Sequence, residues 1–350
     1  MTFGRLHFST AALSPTLALA MGGIWLAGFF GGCQTNEPVS YQTPPQAASL
    51  PATNAPYPDP IGIAPTGGAG SAAFGSAVSA PGTVVPGQPT PISLNGSPAP
   101  TVTPSAPGVP KVTAKAAILV DGFGRVLFER NADARLPAAS TQKLLVGLLV
   151  AERGGLSTPV TIAEPDTWAE PTVMGIKPGE VYTRDQLLHA VLIRSCNDIA
   201  RALGRDHSGS EAAFVASMNA KARQLGMTNS YFTNSNGLPS PPGQYSTARD
   251  LAKLGMAALR NPTLREICST RSYTFRLANG SVRTLTNTNQ VLHHFPYCTG
   301  LKTGTTNAAG KCLVSSATAN GKTVVAVMLG SSSPAVWQES EALLKYGLGM

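Results

Sequence analysis

Apolar positions along the chain follow two regimes that meet near Lys111. Before it they form one long run and then lose all period; after it they recur with strand or helix spacing. Residues 116–120 are a continuous apolar run ending in Asp121-Gly122, and residues 125–129 follow, which predicts a β-hairpin turning through Gly122-Phe-Gly124. Helices are predicted over 144–150, 187–193, 198–203, 214–225, 248–259 and 335–346, and strands over 291–302, 311–317 and 323–330. Thr183-Arg-Asp-Gln186 has the capping-box pattern just ahead of the helix at 187–193. Helices in the middle and strands towards both ends predict an α+β fold with one sheet built from both ends. There is no internal repeat.

The first regime has its own logic. Arg5 precedes an uncharged, mainly apolar run over residues 11–30, and Gly31-Gly-Cys33 follows directly, as at the end of an export signal. Small residues before a cysteine at this place resemble the lipobox of bacterial lipoproteins, which would make Cys33 a lipid attachment site. Twenty apolar residues also suffice to span a bilayer, about 30 Å at 1.5 Å per residue. Lipoprotein, uncleaved anchor and ordinary cleaved signal all place the rest outside the cytoplasm, in the periplasm and, in the first two cases, tethered to a membrane. Residues 34–110 hold two charged side chains, Glu37 and Asp59, and 17 of the 29 prolines. Such a stretch cannot bury enough apolar area to offset its ordering entropy, so it is expected to be a disordered linker. Its r.m.s. span would be about 50 Å or more. The chain thus divides into 1–33, 34–110 and a folded domain over 111–350.

Charge and composition exclude more than they identify. Only 13% of the 350 residues are charged and the net charge is +8, without the basic runs and interleaved aromatics of a nucleic-acid groove. The five histidines form no H-E-x-x-H pattern, the cysteines show no zinc spacing, and no G-x-S-x-G is present. Neither a metal nor a cofactor is implied. Beyond Cys33 stand Cys196, Cys268, Cys298 and Cys312, for which three full disulfide pairings or buried free thiols remain open.

Candidate chemistry lies in three short motifs. Ser140-Thr-Gln-Lys143 follows Pro137, a helix-start residue, and opens an apolar helix. Positions i and i+3 share a helix face, which brings the lysine amine to the serine hydroxyl. To act as a base the lysine must be neutral near pH 7, against an ordinary pKa of about 10.4, a cost of about 4 kcal/mol. Burial and a second cation could supply it. Ser195-Cys-Asn197 lies between two helices and offers a hydroxyl and an amide. Lys302-Thr-Gly304 ends a strand; the lysine is a candidate second cation, Thr303 a carboxylate ligand, and Gly304 a place where substrate backbone could approach closely. Taken singly, each motif is equally readable as a cap or a turn.

In this order and spacing the three motifs resemble those of the serine D-alanyl-D-alanine carboxypeptidases, the low-molecular-mass penicillin-binding proteins. Leu136-Pro-Ala-Ala-Ser140, Leu225-Gly-Met227, Asn234-Ser-Asn-Gly-Leu238, Tyr245-Ser-Thr-Ala-Arg-Asp250 and Leu301-Lys-Thr-Gly-Thr-Thr-Asn307 extend the likeness over 111–350. The resemblance implies a β-lactamase/transpeptidase-like fold, an antiparallel sheet flanked by helices with a helical subdomain. It implies Ser140 as nucleophile, Lys143 as its base, and Ser195 as proton relay. It also implies Asn197, Lys302, Thr303 and Gly304 as substrate-binding residues, with Ser140 and Thr305 supplying the backbone N–H groups of an oxyanion hole. Peptidoglycan stem peptides would be the substrate and β-lactam antibiotics the trap. A D,D-endopeptidase would use the same residues; a class A β-lactamase would need a Glu-x-x-Leu-Asn segment that is absent, and an inactive peptidoglycan-binding scaffold would not need the motifs intact. Two departures stand out, Gln244 where many relatives have His and Cys196 where Gly is common. Many relatives also carry a β-rich C-terminal domain with a membrane helix; here the sequence ends soon after its last helix, and tethering would fall to the N-terminal segment.

Overall fold

A computed structural model describes residues 108–350. The expected signal segment, Cys33 and the linker up to residue 107 lie outside the described residues. The chain enters as β1 (Ala116–Asp121), turns tightly and returns as β2 (Val126–Arg130). Asp121 makes that turn: its carboxylate accepts the N–H of Phe123 and of Arg125, both at 2.9 Å. The chain then leaves for α1 (Lys143–Arg153), a ribbon of β3 (Pro159–Thr161) and β4 (Val181–Thr183), and helices α2 (Arg184–His189), α3 (Asn197–Ser208), α4 (Glu211–Gln224), α5 (Ala248–Arg260) and α6 (Pro262–Ser269). A second ribbon, β5 (Ser272–Arg276) with β6 (Val282–Thr286), and the short α7 (Gln290–His294) lead back to β7 (Cys298–Thr306), β8 (Gly310–Ala319) and β9 (Lys322–Ser331), followed by α8 (Ala335–Leu348).

The main sheet is five-stranded and antiparallel, in the order β2-β1-β9-β8-β7. Both of its faces are covered, which is why β1 and β9 read as unbroken apolar runs rather than alternating ones. Ile118, Val120, Val325 and Val327 point into an inner core with the helices α1 to α6. Leu119, Val324, Ala326 and Met328 point to an outer core completed by α8 through Val336, Leu343 and Leu344. Burying each such leucine contributes about 1.5–3 kcal/mol. Residues 143–150 of α1 are all buried, as expected of a helix that is apolar all round. Gly255 lets α5 lie close on the sheet, since a Cβ there would stand 3.1 Å from both Val314 and Val325.

The expected α+β fold, its hairpin and its two-ended sheet are all present. So is the capping box: Thr183 Oγ1 accepts the N–H of Gln186 at 3.2 Å and Gln186 Oε1 accepts that of Thr183 at 2.9 Å. The strand expected over 291–302 is a correction. Asn289 Oδ1 caps the N–H of Val291 at 3.1 Å and starts α7 instead; Pro296 follows the helix, and the strand begins only at Cys298. The apolar helix expected at 187–193 is α-helical only to His189 and closes as a π turn, Ala190–Arg194. All four cysteines of the described residues are free and buried.

Candidate active site

Ser140 is delivered by a tight turn rather than by a regular helix. Ala139 adopts φ +48°, a left-handed conformation costly for a residue with a Cβ, and a 3-10 turn (Ala139–Gln142) then runs into α1. Two glycines of distant segments make room for it. A Cβ on Gly304 of β7 would stand 2.9 Å from the Ser140 backbone nitrogen, and one on Gly237 (φ +86°) would stand 2.4 Å from the Ala139 carbonyl oxygen. The turn is therefore wedged between the edge strand and the 234–238 loop. Gln142 ties it to that loop, donating from Nε2 to the Asn234 carbonyl at 2.6 Å.

Lys143 is wholly buried, and its Nζ has three partners: Ser140 Oγ at 2.8 Å, Asn197 Oδ1 at 2.6 Å and the Asn236 carbonyl at 2.7 Å. Two of these, an amide oxygen and a backbone carbonyl, can only accept. A neutral lysine amine has two N–H bonds and one lone pair. With both N–H bonds given to Asn197 and Asn236, the lone pair is left facing Ser140 Oγ, whose hydroxyl also has the Asn236 carbonyl as an acceptor at 3.2 Å and can turn from it to Lys143. Burial, and after it the charge of Lys302, hold the Lys143 pKa well below its ordinary value. The expected i, i+3 contact between Ser140 and Lys143 is present.

Lys302 lies in β7, also buried, with Nζ donating to the Thr303 carbonyl at 3.0 Å. Burial lowers its pKa to about 8. The Thr303 hydroxyl meets that of Thr288 at 2.7 Å, and Thr305, further along the strand, is exposed. Ser195 follows the π turn in a left-handed conformation, φ +71°, two residues ahead of the Asn197 amide that holds Lys143. π turns of this kind recur at functional sites. The structure therefore gathers Ser140, Lys143, Asn197, Lys302 and Gly304 around one turn.

That gathering has known counterparts. The profile of the D-alanyl-D-alanine carboxypeptidase family matches residues 101–333. The chain belongs to this family. It is 37% identical over 232 residues to D-alanyl-D-alanine carboxypeptidase DacB2 of Mycobacterium tuberculosis, covering 65% of this chain and 79% of that one. It is 35% identical over 211 residues to a D-alanyl-D-alanine endopeptidase of Pseudomonas aeruginosa, covering 59% of this chain and 67% of that one. The crystal structure of a D-alanyl-D-alanine carboxypeptidase from Mycobacterium tuberculosis superposes with a TM-score of 0.67 at 35% identity, over 72% of this chain and 96% of that one. The chain spans between 58% and 85% of the length of the first four curated carboxypeptidases it matches.

For a member of the D-alanyl-D-alanine carboxypeptidase family, the two departures have clear surroundings. Cys196 is buried between Ser195 and Asn197, and burial pushes its thiol up to about 12, so it is an inert packing residue. Gln244 Nε2 donates to the Leu238 carbonyl, bracing the loop that presents Asn236. Sequence reasoning missed the Asn236 carbonyl, Gly237 and Thr288. The first two lie in the Asn234-Ser-Asn-Gly-Leu238 stretch, noticed for its resemblance but given no role. Among the described residues, no group of His, Cys, Asp or Glu is arranged to hold a metal, and no helix is long and apolar enough to cross a membrane.

Proposed function

We propose that this protein is a serine D-Ala-D-Ala carboxypeptidase that removes the last residue of peptidoglycan stem peptides. Ser140 Oγ attacks the carbonyl carbon between the two D-alanines as its proton passes to Lys143 Nζ. The oxyanion is held by the backbone N–H groups of Ser140 and Thr305; that of Ser140 lies in a first helical turn, where N–H groups have no partner within the helix. Collapse breaks the C–N bond, the leaving amine takes a proton through Ser195, and water hydrolyses the acyl ester. Lys302 and Thr303 grip the terminal carboxylate, Asn197 braces Lys143 and the peptide, and Gly304 lets the peptide backbone lie along β7. β-Lactams acylate the same serine and stay.

The observation that carries this reading is the Lys143 amine, 2.8 Å from Ser140 Oγ with its other partners restricted to acceptors. Intact penicillin-labelled protein, digested and sequenced by mass spectrometry, tests it: the adduct belongs on Ser140, and an unlabelled wild type contradicts the assignment. The endopeptidase relative supports a second reading, cleavage of cross-links. Purified muropeptides separate the two. Release of D-Ala from pentapeptides marks a carboxypeptidase, and conversion of dimers to monomers an endopeptidase.

The reading extends to location. Arg5, the apolar run at 11–30 and Gly31-Gly-Cys33 support export and tethering through a lipidated Cys33, which would leave the domain on a long linker within reach of the wall. Radiolabelled palmitate incorporated by the wild type and lost in Cys33→Ala supports lipidation. A protein that stays membrane-bound without label supports an uncleaved anchor, and one that is released supports a cleaved signal.

A further inference from the structure

The Asn197 side chain can serve Lys143 only in one of two orientations, and a neighbouring segment selects it. Asn197 Nδ2 donates to the Pro171 carbonyl, and the Asn197 backbone N–H donates to that of Thr172 at 2.8 Å. With its NH2 committed to Pro171, the amide must turn its oxygen towards Lys143. A flipped amide would put two N–H donors against the amine and remove one of the acceptors that leave the lone pair on Ser140.

Segment 171–175 is itself held from two sides. Asp198, 1% exposed, accepts the N–H of Met174 on Oδ1 at 3.0 Å and of Gly175 on Oδ2 at 2.9 Å, and Oδ1 also takes the N–H of Ile199 at 2.9 Å. Arg283 reaches from β6 and donates from Nη1 to the Met174 carbonyl at 2.6 Å. Residue 174 is thus clamped by its N–H and its C=O at once. Thr172 (φ +63°) and Gly175 (φ +76°) are left-handed, so the segment's path depends on these contacts rather than on regular structure.

We infer that Asp198 is a positioning residue for acylation, acting through segment 171–175 to fix the Asn197 amide against Lys143, with Arg283 as its outer support. The inference rests on the proposed Ser140–Lys143 chemistry. It has a consequence that a purely structural role lacks. The titratable groups facing Lys143 are Lys302 from β7, which opposes its charge, Asp198 from the start of α3, which favours it, and the Cys196 thiol, which burial keeps neutral. Removing the Asp198 charge, or letting the amide oxygen turn away, lowers the pH at which Lys143 becomes neutral.

The experiment measures acylation by a labelled penicillin across pH for the wild type, Asp198→Asn and Arg283→Met, with thermal unfolding alongside. Asp198→Asn is expected to acylate about 10-fold more slowly at the wild-type optimum, a size typical of lost positioning. Its acid limb should move to lower pH. Arg283→Met, on a surface ribbon, should slow acylation about threefold with the limb unmoved. Asp198→Asn that acylates like the wild type with the same acid limb overturns the inference, whatever its melting temperature. Should Asp198→Asn not fold, Arg283→Met decides: a slower rate supports the inference and an unchanged one overturns it. A wild type that takes no label overturns the Ser140 reading itself, and with it this one.

Discussion

Both faces of the main sheet are closed by apolar packing, but only the inner one also buries the candidate site. The outer face is closed by α7 and α8 through Leu292, Phe295, Val336, Leu343 and Leu344. On the inner side, the helices bury Lys143 and Lys302 of the site together with Asn197, Asp198, Asn234 and Asn236. Burying an ammonium is costly unless it is paired or gives up its proton. Neither lysine has a carboxylate within salt-bridge distance among the described residues, and both have lowered pKa values instead. The inner face thus both holds the fold together and holds a base neutral, and the outer face does only the first.

Substitutions can break or sharpen that contrast. Ser140→Ala should abolish the covalent penicillin adduct, read by intact mass, while leaving the melting temperature close to wild type. The next effect is a pH dependence of the lysine on the edge strand. Lys302 is charged below about pH 8 and neutral above it. The KM for a peptide with a free C-terminal carboxylate should therefore rise about fivefold between pH 8 and 9, and that of an ester analogue should not. Gly237→Ala should slow acylation several-fold, because a Cβ there would collide with the Ala139 carbonyl at a backbone φ of +86°. Its stability should fall by more than about 1 kcal/mol in denaturant titration. Leu343→Ala, on the outer face, should cost about 2–5 kcal/mol of stability. Its acylation rate per active molecule should not change, and a changed rate would show that the two faces are not independent.

The outer face was the more legible in sequence. Strand runs and the helix of α8 are written in local periodicity and end signals, as is the Thr183 capping box of α2 on the inner side. The exception on the outer face was α7, where Val291, Leu292 and Phe295 read as strand until the Asn289 cap and Pro296 are weighed. The two ribbons were missed because each strand buries only one side chain, such as Phe275 in β5, too little for an apolar alternation. In the site, the Ser140–Lys143 pair was legible because i and i+3 share a helix face. Lys302 was legible as a candidate second cation from its place at the end of a predicted strand. The Asn236 carbonyl was not legible at all: it is a backbone atom, indifferent to residue type, brought to Lys143 across 93 positions of chain. The same holds for the Pro171 and Thr172 carbonyls that orient Asn197.

The central claim is that Lys143 is the neutral base for Ser140. The most direct measurement is the acylation rate of Lys143→Met compared with wild type across pH, with the adduct mapped by mass spectrometry. Loss of a positioned base costs about 100- to 10,000-fold. The variant should be slower by that factor at neutral pH, still fold, and lose the wild-type acid limb. A Lys143→Met protein that labels Ser140 as fast as wild type, with the same acid limb, would contradict the account.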